Sequence, residues 1–599
     1  MKHDLPESDE ITGRHLDWQL FRRFLRLVLP YRGSALAALA LLPLVAATKL
    51  VQPYLLMRAI DDAILPGDLE RLGMLAGLFL LALSAEALVL FAQGYLVQMV
   101  GQRIMADLRR EGFAHLLRLP SSFFDRHPSG RLVTRLTGDV ENVGELFGAG
   151  VVLALGDLLT LVAIVAAMLW LDVSLSLTAF AMIPPLLLLL WLFRRAMRQA
   201  MRQVRARLAG LNAYVAERIA GIQEVRLFGQ EQRTLGEFEK LQQGYAAGTF
   251  RVINWDALLY SLVEVLGALA IAAILWHGGA EVAAGAASFG TLVAFIEYVQ
   301  KFFAPLRDLS AKYSVVQAGN ASLERIFDLL DQRPEPGGAP LAAGGGGLRL
   351  EGVSFSYDGR TPVLEQIDLD LPPGRSLALV GATGSGKTTL SRLLLRFYQP
   401  TAGRILLAGV DLAGIDPKDV RRHIGWVAQE PFLFAGSLRE NLDPARMLDD
   451  AQLSALLRDL GAGGVLQRLG GPAGVLVERG KNLSAGERQL LCLARALAAD
   501  PPLLLLDEAT SRLDGATEAL VERALACAGA GRSVLLIAHR LRSARTADQI
   551  AVLRRGRVVE RGTHGVLLAR DGLYARLWRL QQLRFGEAEG QQTNQGGAE

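Results

Sequence analysis

The chain has 599 residues, which is more than one hydrophobic core accommodates, so at least two domains are expected. Hydrophobic residues make up 51% of it and the mean hydropathy is +0.27, which is high for a soluble protein. The formal net charge of +4 is small for this length and gives no case for nucleic-acid binding. The two cysteines, Cys492 and Cys527, form no metal-ligand pattern, and a reducing compartment is the simple interpretation.

The first 32 residues are predicted to form a polar tail followed by an interfacial helix. Residues 1–13 are polar and lack the architecture of a signal peptide, so the first apolar segment is expected to stay in the membrane. Residues 18–32 interleave Leu and Phe with four arginines. This pattern is typical of an amphipathic helix that lies on a membrane surface.

Six apolar segments precede residue 320. A helix crosses the bilayer core in about 20 residues, and most of these segments reach that length. One such segment alone is also compatible with a buried core helix, but six in series favour membrane spans. The segments are residues 33–60, 72–100, 146–171, 175–193, 258–279 and 289–309.

Arginines are concentrated in two long connections, between spans two and three and between spans four and five, whereas the opposite connections are short and acidic. The positive-inside rule therefore places both termini and both long connections in the cytoplasm. Each long connection is predicted to be a helical hairpin, with turns at residues 121–130 and 221–229. At 1.5 Å per residue, these hairpins extend tens of ångströms from the membrane.

The C-terminal half has a different character. Residues 332–347 are rich in Pro and Gly and are predicted to be a linker. From Leu348, short apolar strands alternate with helices, which is typical of an α/β domain with a mostly parallel sheet. The predicted organisation is a tail and interfacial helix (1–32), an all-α six-span transmembrane domain (33–331), the linker (332–347), an α/β domain (348–582) and a disordered tail (583–599).

The sharpest local pattern is Gly-Ala-Thr-Gly-Ser-Gly-Lys-Thr at residues 381–388, between a predicted strand and a predicted helix. Its glycines let backbone N–H groups point at phosphate oxygens, at the positive end of a helix. Lys387 is predicted to reach the β- and γ-phosphates of ATP, and the Thr388 hydroxyl to bind Mg²⁺. The candidate nucleotide-binding residues here are Gly381, Ala382, Thr383, Gly384, Ser385, Gly386, Lys387, Thr388 and Thr389.

Two further predicted strands end in candidate catalytic side chains. Four leucines predict a buried parallel strand that ends in Asp507 and Glu508. Asp507 is predicted to hold Mg²⁺ and Glu508 to polarise the attacking water as a general base, with a helix-capping acid pair as the alternative. His539 follows the strand at 534–538 and is placed to sense the γ-phosphate, although a lone histidine is more often structural.

The order of these residues resembles the nucleotide-binding domain of ABC transporters. Six spans with long cytoplasmic hairpins resemble the exporter class of that family, and residues in both hairpin turns match its pattern. The matching residues are Tyr357, residues 381–388, Gln429, Leu483-Ser484-Ala485-Gly486-Glu487, Asp507-Glu508, Ser511-Arg512-Leu513-Asp514 and His539, with Phe123-Phe124-Asp125, Gly130 and Arg135 in the first hairpin and Glu217, Gly221, Val225 and Phe228 in the second.

The resemblance implies further roles. Tyr357 would stack on adenine, its alternative being an exposed strand aromatic. Gln429 would touch Mg²⁺ and the water, its alternative being a polar loop residue. Ser484 and Gly486 would bind the γ-phosphate of ATP held by a second subunit, so that two chains enclose each ATP. The Mg²⁺ ligands would then be Thr388, Gln429 and Asp507.

The chain departs from the usual Leu-Ser-Gly-Gly-Gln signature at Ala485 and Glu487, and it has Arg512 where a small residue is common. Glu508 and His539 are kept. This combination resembles the catalytically competent partner of heterodimeric exporters, with a second half-transporter as the other subunit. The alternative is a homodimer that tolerates the changes, such as a homodimeric lipid flippase.

The predicted function is ATP-driven export of amphipathic drugs, lipids or peptides from the cytoplasm or inner leaflet, across the inner (plasma) membrane. An ATP-gated channel or a regulatory P-loop membrane protein is the alternative of another class. Charged residues inside the spans should face a cavity or pair with each other. Aromatic residues near them would suit an amphipathic cation. The charged residues are Lys49, Arg58, Glu86, Asp157, Glu264 and Glu297, and the aromatic ones Tyr95, Trp255, Tyr260, Phe295, Tyr298 and Phe302.

Overall fold

The computed structural model describes residues 18–307, 309–341, 345–507, 515–538 and 540–582. The chain divides into two compact units. One unit comprises Met1–Leu117 and Ser129–Gln332, and the other Arg118–Pro128 and Arg333–Glu599. The short segment Arg118–Pro128, from the first predicted hairpin turn, thus belongs with the C-terminal part of the chain.

Helices account for nearly all of the described residues before the linker, as the long apolar runs predict. Short π-helical stretches at Ile60–Ile64, Arg135–Asp139 and Leu146–Val152 join some of them. The helices are α1 (Trp18–Val28), α2 (Arg32–Ala59), α3 (Leu69–Leu116), α4 (Ser121–Arg126), α5 (Ser129–Thr134), α6 (Val140–Glu145), α7 (Leu153–Leu171), α8 (Val173–Phe180), α9 (Ile183–Ala220), α10 (Ile222–Leu227), α11 (Glu231–Ala283), α12 (Phe289–Arg307) and α13 (Leu309–Leu330).

Five helical stretches in the described part of the chain are long and apolar enough to cross a membrane. The sixth predicted span is helical as α12, but Glu297 and Lys301 in its middle make it less apolar than the others. The fourth span, predicted as one continuous segment, is divided between α8 and α9. Two prolines at the start of α9 explain the break, because proline lacks the N–H that a helix interior requires. The five stretches are Arg22–Ile64, Leu69–Leu116, Ser129–Leu171, Val173–Ala220 and Glu231–Ala283.

Some charged side chains of the first unit have polar partners inside it. Asp157 forms an ion pair with Lys312, and Glu86 accepts a hydrogen bond from Gln52. The Lys301 ammonium donates to Gln52 Oε1 at 2.8 Å, which extends the second group. The contacts described for Asp157 and Glu86 are thus with Lys312 and Gln52, which are outside the set of charged residues predicted to pair, and they satisfy charges that are costly in lipid.

Two aromatic residues predicted to line a substrate cavity lie elsewhere. Phe295 and Tyr298 are buried in the packed core between the helices of the first unit. The Tyr298 hydroxyl donates to the backbone carbonyl of Leu50 at 2.8 Å, so it fastens α12 to α2. Both positions face inward on α12 because they are three residues apart on one helical face.

The described residues of the second unit form three β-sheets. The predicted mostly parallel sheet has six strands in the order β12-β11-β3-β10-β9-β6, with only the β11–β12 pair antiparallel. A separate antiparallel sheet, in the order β2-β1-β4-β5, was not predicted, and β7 pairs with β8. The strands are β1 (Leu348–Phe355), β2 (Leu364–Leu371), β3 (Ser376–Gly381), β4 (Ala402–Leu407), β5 (Val410–Asp411), β6 (Ile424–Val427), β7 (Gly436–Ser437), β8 (Val475–Leu476), β9 (Leu503–Asp507), β10 (Ser533–Ala538), β11 (Gln549–Arg554) and β12 (Arg557–Gly562).

The helices of the second unit pack around these sheets. The core between the sheets and α14 consists almost entirely of Leu, Ile, Val and Phe side chains. The helices are α14 (Lys387–Leu394), α15 (Pro417–His423), α16 (Leu438–Leu442), α17 (Asp450–Asp459), α18 (Gly463–Arg468), α19 (Ala485–Leu497), α20 (Gly515–Gly529), α21 (Leu541–Ala544) and α22 (His564–Ala569).

The described part of the predicted linker lies along the second unit. Ala339 donates its N–H to the carbonyl of Gly414 at 2.7 Å and accepts from the N–H of Asp416 at 2.8 Å. A Cβ on Gly346 would lie 2.2 Å from the carbonyl oxygen of Pro502, so only glycine fits there. The glycines that suggested a flexible spacer thus allow close backbone packing at this position.

Candidate nucleotide-binding site

The Gly-rich segment connects β3 to α14, as predicted. Gly384 and Gly386 have φ angles of +78° and +107°, a conformation that residues with a Cβ rarely adopt. A Cβ on Gly381 would lie 2.3 Å from the carbonyl oxygen of Leu553, on the neighbouring strand β11. The loop is therefore tight at its start, and it leads directly into the N-terminus of α14, where a helix favours an anion.

Lys387 and Ser385 bring polar atoms into this loop. Lys387 is 4% exposed, and its ammonium donates to the carbonyls of Gly381 at 2.8 Å and Ala382 at 3.1 Å. The Ser385 Oγ is buried and has no hydrogen-bond partner in the described part of the protein. A buried cation and an unsatisfied buried hydroxyl inside a ring of glycines fit a polyphosphate.

The strand register brings other candidate residues to the same edge of the sheet. Val380 of β3 pairs with Ala538 of β10, and Asp507 of β9 lies opposite Ile537. Val427, two residues before Gln429, lies opposite Leu506. Because these strands are parallel, their carboxyl ends meet beside the phosphate loop.

Asp507 is buried at this edge, beside the phosphate loop. Two predicted catalytic residues come directly after described strands: Glu508 after β9 and His539 after β10. Both lie outside the described residues, as do Arg512 and the rest of the connecting segment 508–514. Their roles stay predictions.

Tyr357 follows β1 and lies beside the phosphate-loop helix. Its ring makes edge-to-face contacts with Phe355 and Tyr398, at centroid distances of 4.8 and 5.1 Å. Its hydroxyl donates to Thr389 Oγ1 at 3.3 Å, and 38% of the residue remains exposed. An aromatic ring fixed by two others, with part of its surface free, can stack on a planar base.

Ser484 and Gly486 lie in a different element, at the start of α19. Ser484 is the N-cap residue, and Gly486 is buried in the first turn. The N-terminus of a 13-residue helix suits an anion, which agrees with the predicted role of this segment toward a second subunit's ATP.

Sequence reasoning missed two residues that contact the first hairpin turn. Asp125, in the Phe-Phe-Asp pattern of that turn, accepts hydrogen bonds from Arg392 at 3.2 Å and from the Tyr398 hydroxyl at 2.5 Å. Burial, together with the hydrogen bond to Asp125, raises the pKa of Tyr398 to about 12. Asp125 itself was singled out, but its partners are more than 260 residues away in sequence, so no local pattern identifies them.

The residues present fit ATP with Mg²⁺. Lys387, Ser385 and the loop N–H groups would hold the phosphates, and Mg²⁺ bound to them supplies charge neutralisation there. Thr388, Gln429 and Asp507 would hold the ion. The described residues contain no cluster of three or more His, Cys, Asp or Glu side chains suited to a metal.

Comparisons with known proteins agree with this geometry. The family model for the ABC transporter transmembrane region matches residues 36–306, and the model for the ABC transporter domain matches residues 364–511. A lipid A-core flippase of Nitrosococcus oceani, described as ATP-dependent, is 33% identical over 94% of this chain and 95% of its own length. An uncharacterized ABC transporter ATP-binding protein of Bacillus subtilis, YknV, is 34% identical over 96% of both chains.

Two further similarities concern chain length and three-dimensional structure. A multidrug efflux ATP-binding/permease protein of Mycobacterium bovis is 36% identical over 92% of this chain, which spans 47% of that relative. The solved structure of a bacterial Atm1-family ABC exporter with ATP bound is similar with a TM-score of 0.76 and 26% identity, over 92% of this chain and 98% of the other. The chain therefore belongs to the ABC transporter family, in its exporter class, as a multi-pass membrane protein whose ATPase domain drives transport.

Proposed function

We propose that this protein is one half of a dimeric ATP-driven exporter that moves amphipathic molecules out of the cytoplasm or the inner leaflet of the inner membrane. The observation that carries the proposal is the contact of Asp125 with Arg392. Arg392 lies on α14, the helix that begins at Lys387 of the phosphate loop. The turn between the second and third spans thus contacts the same short helix that would bind the phosphates.

This contact provides a mechanical link between nucleotide and membrane. ATP binds one arrangement of the two nucleotide-binding domains better than the other, so it shifts the equilibrium toward that arrangement. Any movement of α14 is then carried through Asp125 into the turn between the 48-residue helix α3 and the short helix α5. Exchange between inward- and outward-facing states follows from this bias. Both termini and the ATPase domain lie in the cytoplasm in this proposal.

The roles in hydrolysis follow the sequence predictions. Glu508 polarises the attacking water, His539 senses the γ-phosphate, and Tyr357 stacks on adenine. Ser484 and Gly486 complete the ATP site of the second subunit. The burial of Asp507 at the edge beside the phosphate loop supports its assignment as a Mg²⁺ ligand.

For the second subunit we favour a different half-transporter over a second copy of this chain. The support is Ala485, whose methyl group stands at the first residue of α19, where the usual signature has glycine. The match to about half of the Mycobacterium bovis relative fits a chain that supplies one half of a pair. A homodimeric lipid flippase is the second candidate, and the similarity to the Nitrosococcus oceani flippase favours it.

Transport by sealed vesicles tests the function and the subunit composition together. Vesicles would carry this chain alone, or with the half-transporter encoded beside it. With the second subunit, ATP should drive severalfold accumulation of an amphipathic cationic dye or translocation of a fluorescent lipid, and Lys387→Met should remove it. Equal transport by the chain alone would contradict the heterodimer. No ATP-dependent transport of any probe by either preparation would contradict the exporter.

Removing the Asp125 carboxylate should separate hydrolysis from transport. In Asp125→Ala, Arg392 and Tyr398 lose their shared acceptor, and because the Asp125–Arg392 pair is exposed, the loss in folding stability should be about 1 kcal/mol or less. Transport should fall about tenfold, while ATP hydrolysis stays within about threefold of wild type, as measured on the same vesicles. The matched control is Asp370→Ala, which breaks an exposed pair with Arg349 on the antiparallel sheet. Unchanged transport, or an equal loss of both activities, would contradict the link.

A further inference from the structure

The altered signature is held in a specific local structure. Ser484 Oγ accepts a hydrogen bond from the N–H of Glu487 at 3.2 Å, and Glu487 Oε2 accepts one from the N–H of Ser484 at 2.7 Å. This reciprocal capping box keeps the Glu487 carboxylate at the N-terminus of α19. The negative charge that replaces the usual neutral amide is therefore fixed within the first turn, where the proposed function places the second subunit's γ-phosphate.

Glu487 has a second partner, Arg468, which is the last residue of α18. Arg468 Nη1 donates to Oε1 at 2.7 Å, and Nη2 donates to Oε2 at 2.9 Å. The guanidinium lowers the pKa of the Glu487 carboxyl, and the carboxylate raises the pKa of Arg468, so both groups stay charged. Such a bidentate pair is directional and stronger than a single contact between opposite charges.

Stability alone explains this pair poorly. The Arg468 side chain is 52% exposed, and exposed ion pairs contribute little to folding. The capping box does not require the arginine either, because glutamine at the third helical position caps a serine equally well. Arg468 has a negative charge to neutralise only because residue 487 is a glutamate and not a glutamine.

The charges at this helix start can be compared. A helix N-terminus carries about half a positive charge, which favours an anion. The Glu487 carboxylate accepts the N–H of the N-cap residue Ser484 at 2.7 Å, and its full negative charge would outweigh that half charge. With Arg468 bound to Glu487, the net charge at the start of α19 is positive again.

We propose that Arg468 is a positioning residue of the ATP site, which neutralises Glu487 so that the start of α19 still accepts the triphosphate bound by the other subunit. The inference rests on the proposed function and deepens it. It means that Glu487 does not itself disable this signature, and that any weakness comes from Ala485 or from residues outside the described part of the chain.

The test is a charge cycle in the full-length protein, assembled with the subunit that supports transport. Arg468→Ala should raise the MgATP concentration for half-maximal hydrolysis by about tenfold, with a smaller change in kcat, because an unpaired carboxylate repels the triphosphate. Adding Glu487→Gln to that variant should restore the value to within about twofold of wild type. Arg468→Lys, which keeps the charge, should stay close to wild type.

The matched control is Arg375→Ala. Asp548, like Glu487, accepts a backbone N–H and an arginine: the N–H of Ser376 at 2.8 Å and Arg375 at 3.1 Å. This pair lies at the amino end of β3, the opposite edge of the sheet from the phosphate loop, so its loss should leave the ATP dependence unchanged. Melting temperatures of all variants distinguish a folding defect from an electrostatic one.

The outcomes separate the two proposals. Rescue of Arg468→Ala by Glu487→Gln supports the inference. An Arg468→Ala variant that behaves like Arg375→Ala, or one that Glu487→Gln does not rescue, overturns it. Gly486→Asp in the same assay tests the underlying assignment: if hydrolysis is unaffected, the signature does not contact ATP and the proposed function of this segment fails. If Gly486→Asp loses hydrolysis but Glu487→Gln does not rescue Arg468→Ala, the signature still contacts ATP and only the proposed role of Arg468 is rejected.

Discussion

Replacing Lys387 with methionine is expected to reduce ATP hydrolysis by at least about 100-fold, the loss typical for removing a charged donor from a transition-state site. The ammonium is almost fully buried, and two loop carbonyls hold it above the start of α14. A phosphate entering the loop would attract this ammonium from the neutral carbonyls, because a charge-assisted contact is the stronger one. Methionine keeps the length of the side chain and its packing but removes the charge.

The measurement is the rate of phosphate release by purified full-length protein, together with ATP affinity from fluorescence of a nucleotide analogue. The matched control is Lys418→Met, at the exposed start of α15, which should leave hydrolysis unchanged. A Lys387→Met protein that melts like wild type but still hydrolyses ATP at more than a tenth of the wild-type rate would contradict the assignment of this loop.

Glu508→Gln is expected to give a different defect. General-base catalysis contributes about 10²–10⁴-fold, so hydrolysis should fall by at least about 100-fold while ATP still binds. Because the γ-phosphate is then retained, the protein should accumulate in the outward-facing, ATP-bound state. Asp507→Asn, one residue earlier, should instead weaken Mg²⁺-dependent ATP binding, since that carboxyl group lies buried at the edge beside the loop.

Retention of radiolabelled ATP after gel filtration measures this trapping, and accessibility of an introduced cysteine near the outer end of the spans reports the outward-facing state. Glu522→Gln, at an exposed position of α20, is the control for loss of a charge. Wild-type turnover in Glu508→Gln would remove that residue from its role. Loss of ATP binding in the same variant would show that it holds the nucleotide and does not act as the base.

Local sequence patterns predicted the parts of the site that depend on neighbours in the chain. The phosphate loop and the strand ending in Asp507 each consist of one strand or helix and the turn beside it. The partner of Asp125, by contrast, is on a helix 267 residues further along the chain, and only the folded protein brings the two together. The same holds for Arg468 and Glu487, which are on successive helices separated by a strand.

The spans show the same limit. Their existence followed from length and hydropathy, and the prolines at the start of α9 explain the break that the prediction missed. The pairs Asp157–Lys312 and Gln52–Lys301 join helices that are distant in sequence, so hydropathy identified the acids but not their partners. The antiparallel sheet was missed because β1 and β2 follow each other directly, without the intervening helix that the alternating pattern of a parallel sheet predicts.

Helix α14 has only eight residues, and it carries Lys387 at its first position and Arg392 at its sixth. These positions are about 7.5 Å apart along the axis, one and a half turns of continuous hydrogen-bonded backbone. So short a helix does not bend appreciably, and a displacement of Lys387 therefore also displaces Arg392. A glycine placed between residues 387 and 392 would therefore make this helix more flexible. The protein would still hydrolyse ATP but would transport less substrate for each ATP hydrolysed.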